Sequence, residues 1–304
     1  MSTATAFAGV VMIWSTTPLA IKWSGEGPGF LFGVTGRMVL GTLLCVTLAL
    51  LLRVRLPLHR RALEAYGAAA LGIYGSMMCA YWAAQYVPSG VVAVIFGLAP
   101  LTVGALAAWW LDEPSFTAPK ILGSLIGIAG LILIFGDMRV VGAYAPLGIA
   151  VLLLSVLLHS ISSVWVKRVN HDLHALALTS GGLLVALPAY LLTWAILDGS
   201  WPEEIPLRAA GSIVYLGVIG SGLGFVLYYY ALRRMQASRL ALIPLITPLL
   251  AMVLGYLLND ERPQTGQLLG AALILSGLVF YEFGERLHAV LRSARMRRDG
   301  TPPG

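Results

Sequence analysis

Arg37 carries the first functional question in this sequence. It lies about two turns into an apolar run that begins near residue 30. A charge inside such a run costs roughly 2.5–3.5 kcal/mol on insertion scales, so it should face protein or water. It serves there either as counter-ion to a solute carboxylate or as a structural donor to helix-end carbonyls. His159 raises the second question. It sits midway along another apolar run, beside Ser160, Ser162 and Ser163. Its pKa near neutrality suits solute binding or a proton relay. The alternative is a neutral imidazole bonded to a neighbouring helix. No Asp or Glu lies deep in any apolar run, which argues against carboxylate-based proton or sodium coupling.

Tyrosines supply a second set. Tyr74, Met78, Tyr81 and Gln85 follow at steps of four, three and four, which keeps them on one helical face. Tyr215, Gly222 and Tyr229 follow at steps of seven. A tyrosine offers a flat apolar wall and a hydroxyl that orients a small solute. Helix packing and the interfacial aromatic belt are the alternatives. Tyr229, between Tyr228 and Tyr230, is assigned to the belt. Pro100, Pro244 and Pro248 interrupt apolar runs and mark either hinges or static bends. Glu113 and Glu261 close two runs beside the next helix starts, where a carboxylate caps a helix or pairs at a gate. His171 and His174 share the loop "KRVNHDLHAL" without further ligands, so a solvated loop is expected there. Cys45 and Cys79 form no CxxC and read as packing residues. No metal or cofactor is expected.

The elements that position these groups follow from composition. Of 304 residues, 58% are hydrophobic and 11% charged, against roughly 25% charged in soluble domains. Such a chain cannot cover a globular surface with polar groups, so its outer face meets lipid. The fold class is an all-α integral membrane protein. Runs of adequate length give ten transmembrane helices near 5–23, 30–52, 64–86, 90–111, 118–136, 146–167, 175–197, 208–230, 239–258 and 266–283. The N-terminus has no basic region ahead of its apolar stretch, so the first run reads as a retained span.

The net charge of +6 does not imply a nucleic-acid partner, because the basic residues stand in short clusters between spans. Fifteen of the twenty fall in one alternate set of loops and the C-terminal tail: Arg53, Arg55, Arg60, Arg61, Lys120, Lys167, Arg168, Arg233, Arg234, Arg239, Arg286, Arg292, Arg295, Arg297 and Arg298. That set, with both termini, is expected to be cytoplasmic. The even span count agrees.

The phrases "PLTVGALAAWWLDEP" and "PLLAMVLGYLLNDERP" repeat one pattern. Aligning Pro100 with Pro248 sets Asp112 on Asp260, Glu113 on Glu261 and Tyr81 on Tyr229. Nearby offsets set Ser15 on Ser160, Lys22 on Lys167 and Gly130 on Gly277. Residues 1–140 and 146–284 therefore read as two copies, followed by a basic cytoplasmic tail, 285–304, irregular beyond the last helix. Each copy has five spans. An odd number inverts the second copy, giving two inverted five-helix repeats (5+5) around a central cavity, a recurrent build of secondary transporters.

These residues also carry a resemblance. "IWSTTPLAIKW", "GRMVLGTLL", the two Pro-to-Asp-Glu phrases and "LGAALILSGLVF" resemble the drug/metabolite transporter (DMT) superfamily, EamA type, from about Trp14 to Phe283. The resemblance implies ten helices in two inverted halves and an exporter of amino acids or related metabolites in a bacterial-type inner membrane. His159 stands where Trp is common and Ser15 where Gly is usual. The candidate substrate-binding set is Trp14, Ser15, Arg37, Tyr74, Tyr81, His159, Ser163 and Tyr215. The competing reading is a membrane enzyme or a flippase for a lipid-linked or amphipathic substrate. An enzyme would need a catalytic group such as paired carboxylates or a Ser/His/Asp set, and none is found. The expected partners are a small-molecule solute and the bilayer, with monomer or homodimer left open.

Overall fold

The computed structural model describes residues 2–87, 89–135, 143–169, 172–259 and 264–298. All regular structure among them is helical. In chain order the elements are α1 (Thr3–Ser24), α2 (Gly29–Leu51), α3 (Arg60–Ala70), a π-helical segment π1 (Leu71–Ser76), α4 (Met77–Ala83), α5 (Ser89–Phe96), α6 (Ala99–Trp110) and α7 (Ala118–Ile134). They continue with α8 (Ala145–Val169), α9 (Ala175–Leu197), α10 (Leu207–Tyr215), π2 (Leu216–Leu223), α11 (Gly224–Arg234), α12 (Ala237–Leu240), α13 (Ile243–Asn259) and α14 (Thr265–Arg298). Six helices among the described residues are long and apolar enough to cross a membrane, and three more are shorter and apolar.

The polarity is inverted relative to a soluble protein. Leu50, Leu192, Ile196 and Val279 are exposed, while Ser76, Ser155, Ser160, Ser163 and Ser221 are buried. Apolar side chains gain nothing by leaving lipid, so small residues and hydrogen bonds hold the helices together. The α7–α14 pair shows this most directly. A Cβ on Gly123 would lie 2.6 Å from the Gly277 carbonyl oxygen, and one on Gly277 would lie 2.6 Å from that of Gly123. Gly130 and Gly270 repeat the contact, at 2.6 Å in each direction. Only glycine admits backbone contact this close.

Several predicted spans are not single helices. The run from 64 begins four residues earlier, at Arg60, and contains π1. The run from 208 contains π2. A π turn inserts an extra residue and rotates everything after it relative to α-helical phase. Tyr215, Gly222 and Tyr229 therefore do not share a face as seven-residue steps predict. Tyr215 meets Thr16 on α1, whereas Tyr229 is buried and packs edge-to-face on Tyr228. The belt assignment for Tyr229 is thus corrected, because α11 packs against α1 and α9 there.

The run from 90 is broken between Phe96 and Ala99, and Pro100 occupies the first turn of α6. A proline in a first turn removes no bond from that helix, and the interruption of this span falls at residues 97–98, just ahead of Pro100. Pro244 likewise falls in the first turn of α13. Pro248 lies inside α13. The chain expected to be irregular after residue 284 stays helical to Arg298.

Candidate functional site

Arg37 is 2% exposed, on the inner face of α2. Its Nε donates to Ser221 Oγ on π2 at 3.0 Å, and its NH1 donates to Tyr81 OH on α4 at 2.7 Å. Among the described residues no carboxylate pairs with it. Hydrogen bonds to a charged group contribute about 1.5–3 kcal/mol each. Two of them offset the insertion cost, so the guanidinium stays charged with its positive charge not neutralised. Gly220 lines the same spot, where a Cβ would make ordinary contact with NH2 at 3.4 Å and Thr17 Cγ2 at 3.6 Å.

About two turns further along π2 and α11, from Ser221 to Tyr228, an aromatic cluster follows. Trp14 stacks on Tyr228 with centroids 5.2 Å apart and planes 25° from parallel. His159 lies 5.9 Å from the Tyr228 ring and 6.5 Å from Phe96. Tyr228 OH shares a 2.7 Å hydrogen bond with Ser163 Oγ and lies 3.5 Å from His159 Nε2. Gly224 permits the stack, because a Cβ there would meet Trp14 Nε1 at 3.2 Å. α1 and α8 thus meet Tyr228 of α11, and α5 reaches the cluster through Phe96 against His159.

The structure gathers Trp14, His159 and Ser163 into this cluster and Arg37 with Tyr81 beside it. Ser15 points back along its own helix, with Oγ donating to Val11 O at 2.6 Å. Tyr74 shares a 2.6 Å bond with Thr193 and packs edge-to-face on Tyr190, both on α9. Gln85 is exposed and bonds to the Trp82 carbonyl. Tyr228 and Ser221 were missed from sequence. Tyr81 is the fifth residue of α4 and Tyr228 the fifth of α11, whereas the Pro100–Pro248 register sets Tyr81 on Tyr229.

At the end of the bundle where α6 and α8 finish, Asp112 takes φ +53° and Glu113 N–H returns to Ala107 O. Asp tolerates this left-handed turn better than most residues. The turn aims Glu113 at Lys167 of α8, 2.7 Å away. Glu113 Oε2 also accepts from Ala237 N of α12 at 3.3 Å and from Ser115 Oγ at 3.2 Å, and Lys167 donates to Met235 O. Glu113 therefore caps α12 across the molecule, where proximity in sequence suggests α7. Glu261 lies outside the described residues, as does His171. His174 is an exposed loop residue, as expected, and stands at the N-cap of α9, where its Nδ1 accepts from Leu176 N at 3.3 Å.

An apolar crevice of about 300 Å³ opens between the opposite ends of α2, α4, α8 and α9, lined by Phe30, Met78, Cys79, Trp82 and Val151 among others.

The family model described as the EamA-like transporter family matches residues 1–136 and 146–282. The chain belongs to the EamA-like transporter family. It is a multi-pass membrane protein of a transporter family within the DMT superfamily. Over 96% of this chain and 97% of the relative it is 27% identical to a Streptantibioticus cattleyicolor protein named "Probable terminal-alkyne amino-acid exporter". It is 25% identical to "Uncharacterized transporter YoaV" of Bacillus subtilis, over 90% of this chain and 94% of that one. An Escherichia coli relative, "Probable amino-acid metabolite efflux pump", is 26% identical over 62% of this chain and 68% of its own length. A solved crystal structure superposes with a TM-score of 0.76 at 19% identity, covering 92% of this chain and 97% of that one. That likeness shows a shared fold.

Proposed function

We propose that this EamA-like protein is a secondary transporter exporting amino acids or related small metabolites by alternating access. The observation that carries the reading is Arg37: a buried guanidinium, held by two neutral hydroxyls and not neutralised by a carboxylate among the described residues. Such a group suits the carboxylate of a solute. The aromatic cluster at Tyr228, about two helical turns away, suits the solute's apolar part. The names of two relatives as amino-acid exporter and amino-acid metabolite efflux pump support the same substrate class.

The machine around the site is read as ten spans in two inverted halves, 1–140 and 146–284, with the cavity at their seam. The paired family matches and the reciprocal Gly123–Gly277 and Gly130–Gly270 contacts support it. Both termini and the Glu113–Lys167 end are read as cytoplasmic, in a bacterial-type inner membrane. On that orientation the Glu113 node closes the cytoplasmic mouth.

Uptake of labelled amino acids into proteoliposomes tests the proposal. The expected outcome is saturable uptake above that of empty vesicles, competed by other carboxylate-bearing solutes. Equal rates in both vesicles for every amino acid and common metabolite would remove the reading. The apolar crevice favours a second reading, a flippase for an amphipathic substrate. A fluorescent-lipid translocation assay on the same vesicles decides between them.

A further inference from the structure

The two π segments carry one motif. Leu71–Ser76 reads "LGIYGS" and Leu216–Ser221 reads "LGVIGS", residue for residue at an offset of 145. The same offset pairs Ser15 with Ser160, and so Thr17 with Ser162 and Trp14 with His159. Equivalent glycines nevertheless sit on neighbours that are not equivalent. Gly72 seats on α8, where a Cβ would lie 3.0 Å from Ser162 Cβ. Gly217 seats on α2, where a Cβ would lie 2.6 Å from Leu40 Cβ and 3.1 Å from Arg37 O.

The serines repeat the inequality. Ser76 Oγ meets Ser155 Oγ of α8 at 3.1 Å, and Ser155 Oγ donates to Ser76 O at 2.7 Å. Ser221 Oγ instead takes Arg37 Nε of α2. Ser162 donates across to Ala68 O at 2.7 Å, while its counterpart Thr17 turns back to Trp14 O in its own helix at 3.0 Å.

We propose that π1 and π2 exchange these neighbours between the two access states. In the state opposite to this one, Gly217 seats on Thr17 of α1 and Ser221 releases Arg37. Gly72 withdraws from Ser162 as Ser76 leaves Ser155. The inference rests on the alternating-access reading. Two inverted copies reach the opposite state by trading conformations, so each takes the contacts its counterpart holds now. π segments suit the movement because their backbone bonds are already out of α-helical register. Ser221 becomes a positioning residue: it occupies one edge of the guanidinium in this state and frees it for a solute anion in the other.

Cysteine pairs in the full-length chain with Cys45→Ala and Cys79→Ala test this. Gly72→Cys with Ser162→Cys reports the present state, and Thr17→Cys with Gly217→Cys the opposite one. Thiols lost on mild oxidation are counted by mass-tagged maleimide. Each pair is expected to close when alone. With all four cysteines present, one molecule should lose two thiols and not four, because the contacts exclude each other. Loss of all four, or a Thr17/Gly217 pair that stays reduced while the protein transports, overturns the exchange. If no solute is transported by the unmodified chain, the functional reading fails, yet the thiol counts still decide the exchange. Should a cysteine variant fail to assemble, hydrogen–deuterium exchange on the native sequence replaces it. A Ser155→Ala change, which removes a bond of the present state only, is expected to change exchange in residues 71–76 and 216–223 together. A change confined to 71–76, or none, counts against the proposal.

Discussion

Arg37 and Tyr228 do different work although each ties several helices together. Arg37 relies on a planar fork that reaches Ser221 and Tyr81 at once, and lysine offers a point charge without that fork. Arg37→Lys should keep the protein assembled and lower transport of a carboxylate-bearing solute by about tenfold or more, an effect of the order of 1.4 kcal/mol. Initial uptake rates against purified yield measure it. Tyr228 contributes a ring and a hydroxyl separately. Tyr228→Phe keeps the stack on Trp14 and removes the bond to Ser163, a loss of about 1 kcal/mol. The expected result is a solute affinity weakened about fivefold with an unchanged maximal rate, read by titrating uptake.

Legibility at this scale followed chemical type. An arginine in an apolar run announces a constraint from its cost alone, and the histidine among serines does the same. Tyr228 announced nothing, because three consecutive tyrosines cover three directions of a helix and only the phase after π2 selects one.

At the scale of elements, the glycines of α7 and α14 and the prolines of α6 and α13 look alike in sequence and differ in consequence. A Cβ at Gly277 would lie 2.6 Å from a carbonyl oxygen and 2.8 Å from Gly127 N. Backbone cannot yield as a flexible side chain can. Gly277→Val should therefore destabilise the fold by about 1–3 kcal/mol or more, seen as a lowered melting midpoint in detergent. Pro100→Ala, at a helix start with no intrahelical bond to recover, should leave that midpoint nearly unchanged. The glycine spacing told which helices approach, since only glycine admits backbone contact. The π segments stayed hidden, because their hydrogen-bond pattern depends on what α2 and α8 present to them.

For the whole molecule, the Glu113 node ties the ends of α6, α8 and α12 together, which the proposed function reads as a closed mouth. Lys167 and Glu113 are 18% and 14% exposed, so water screens the pair only partly. Glu113→Gln leaves Lys167 without its carboxylate and opens that mouth more often. A cysteine placed at the fully buried Ser238 should then react severalfold faster with an impermeant maleimide supplied on that side. Unchanged labelling would show that the node ornaments the closed state without holding it.

The sequence by itself determined that this chain lives in a bilayer and that its charged group within a span turns inward, and its motifs carried the family resemblance. The first two follow from composition and from the cost of a charge in lipid, which are properties summed along the chain. Only the tertiary structure decided that Glu113 reaches α12, that Tyr228 stacks on Trp14, and that equivalent glycines rest on unequal neighbours. Each of these depends on helical phase after a π turn or on a contact between distant segments, and a linear pattern carries neither.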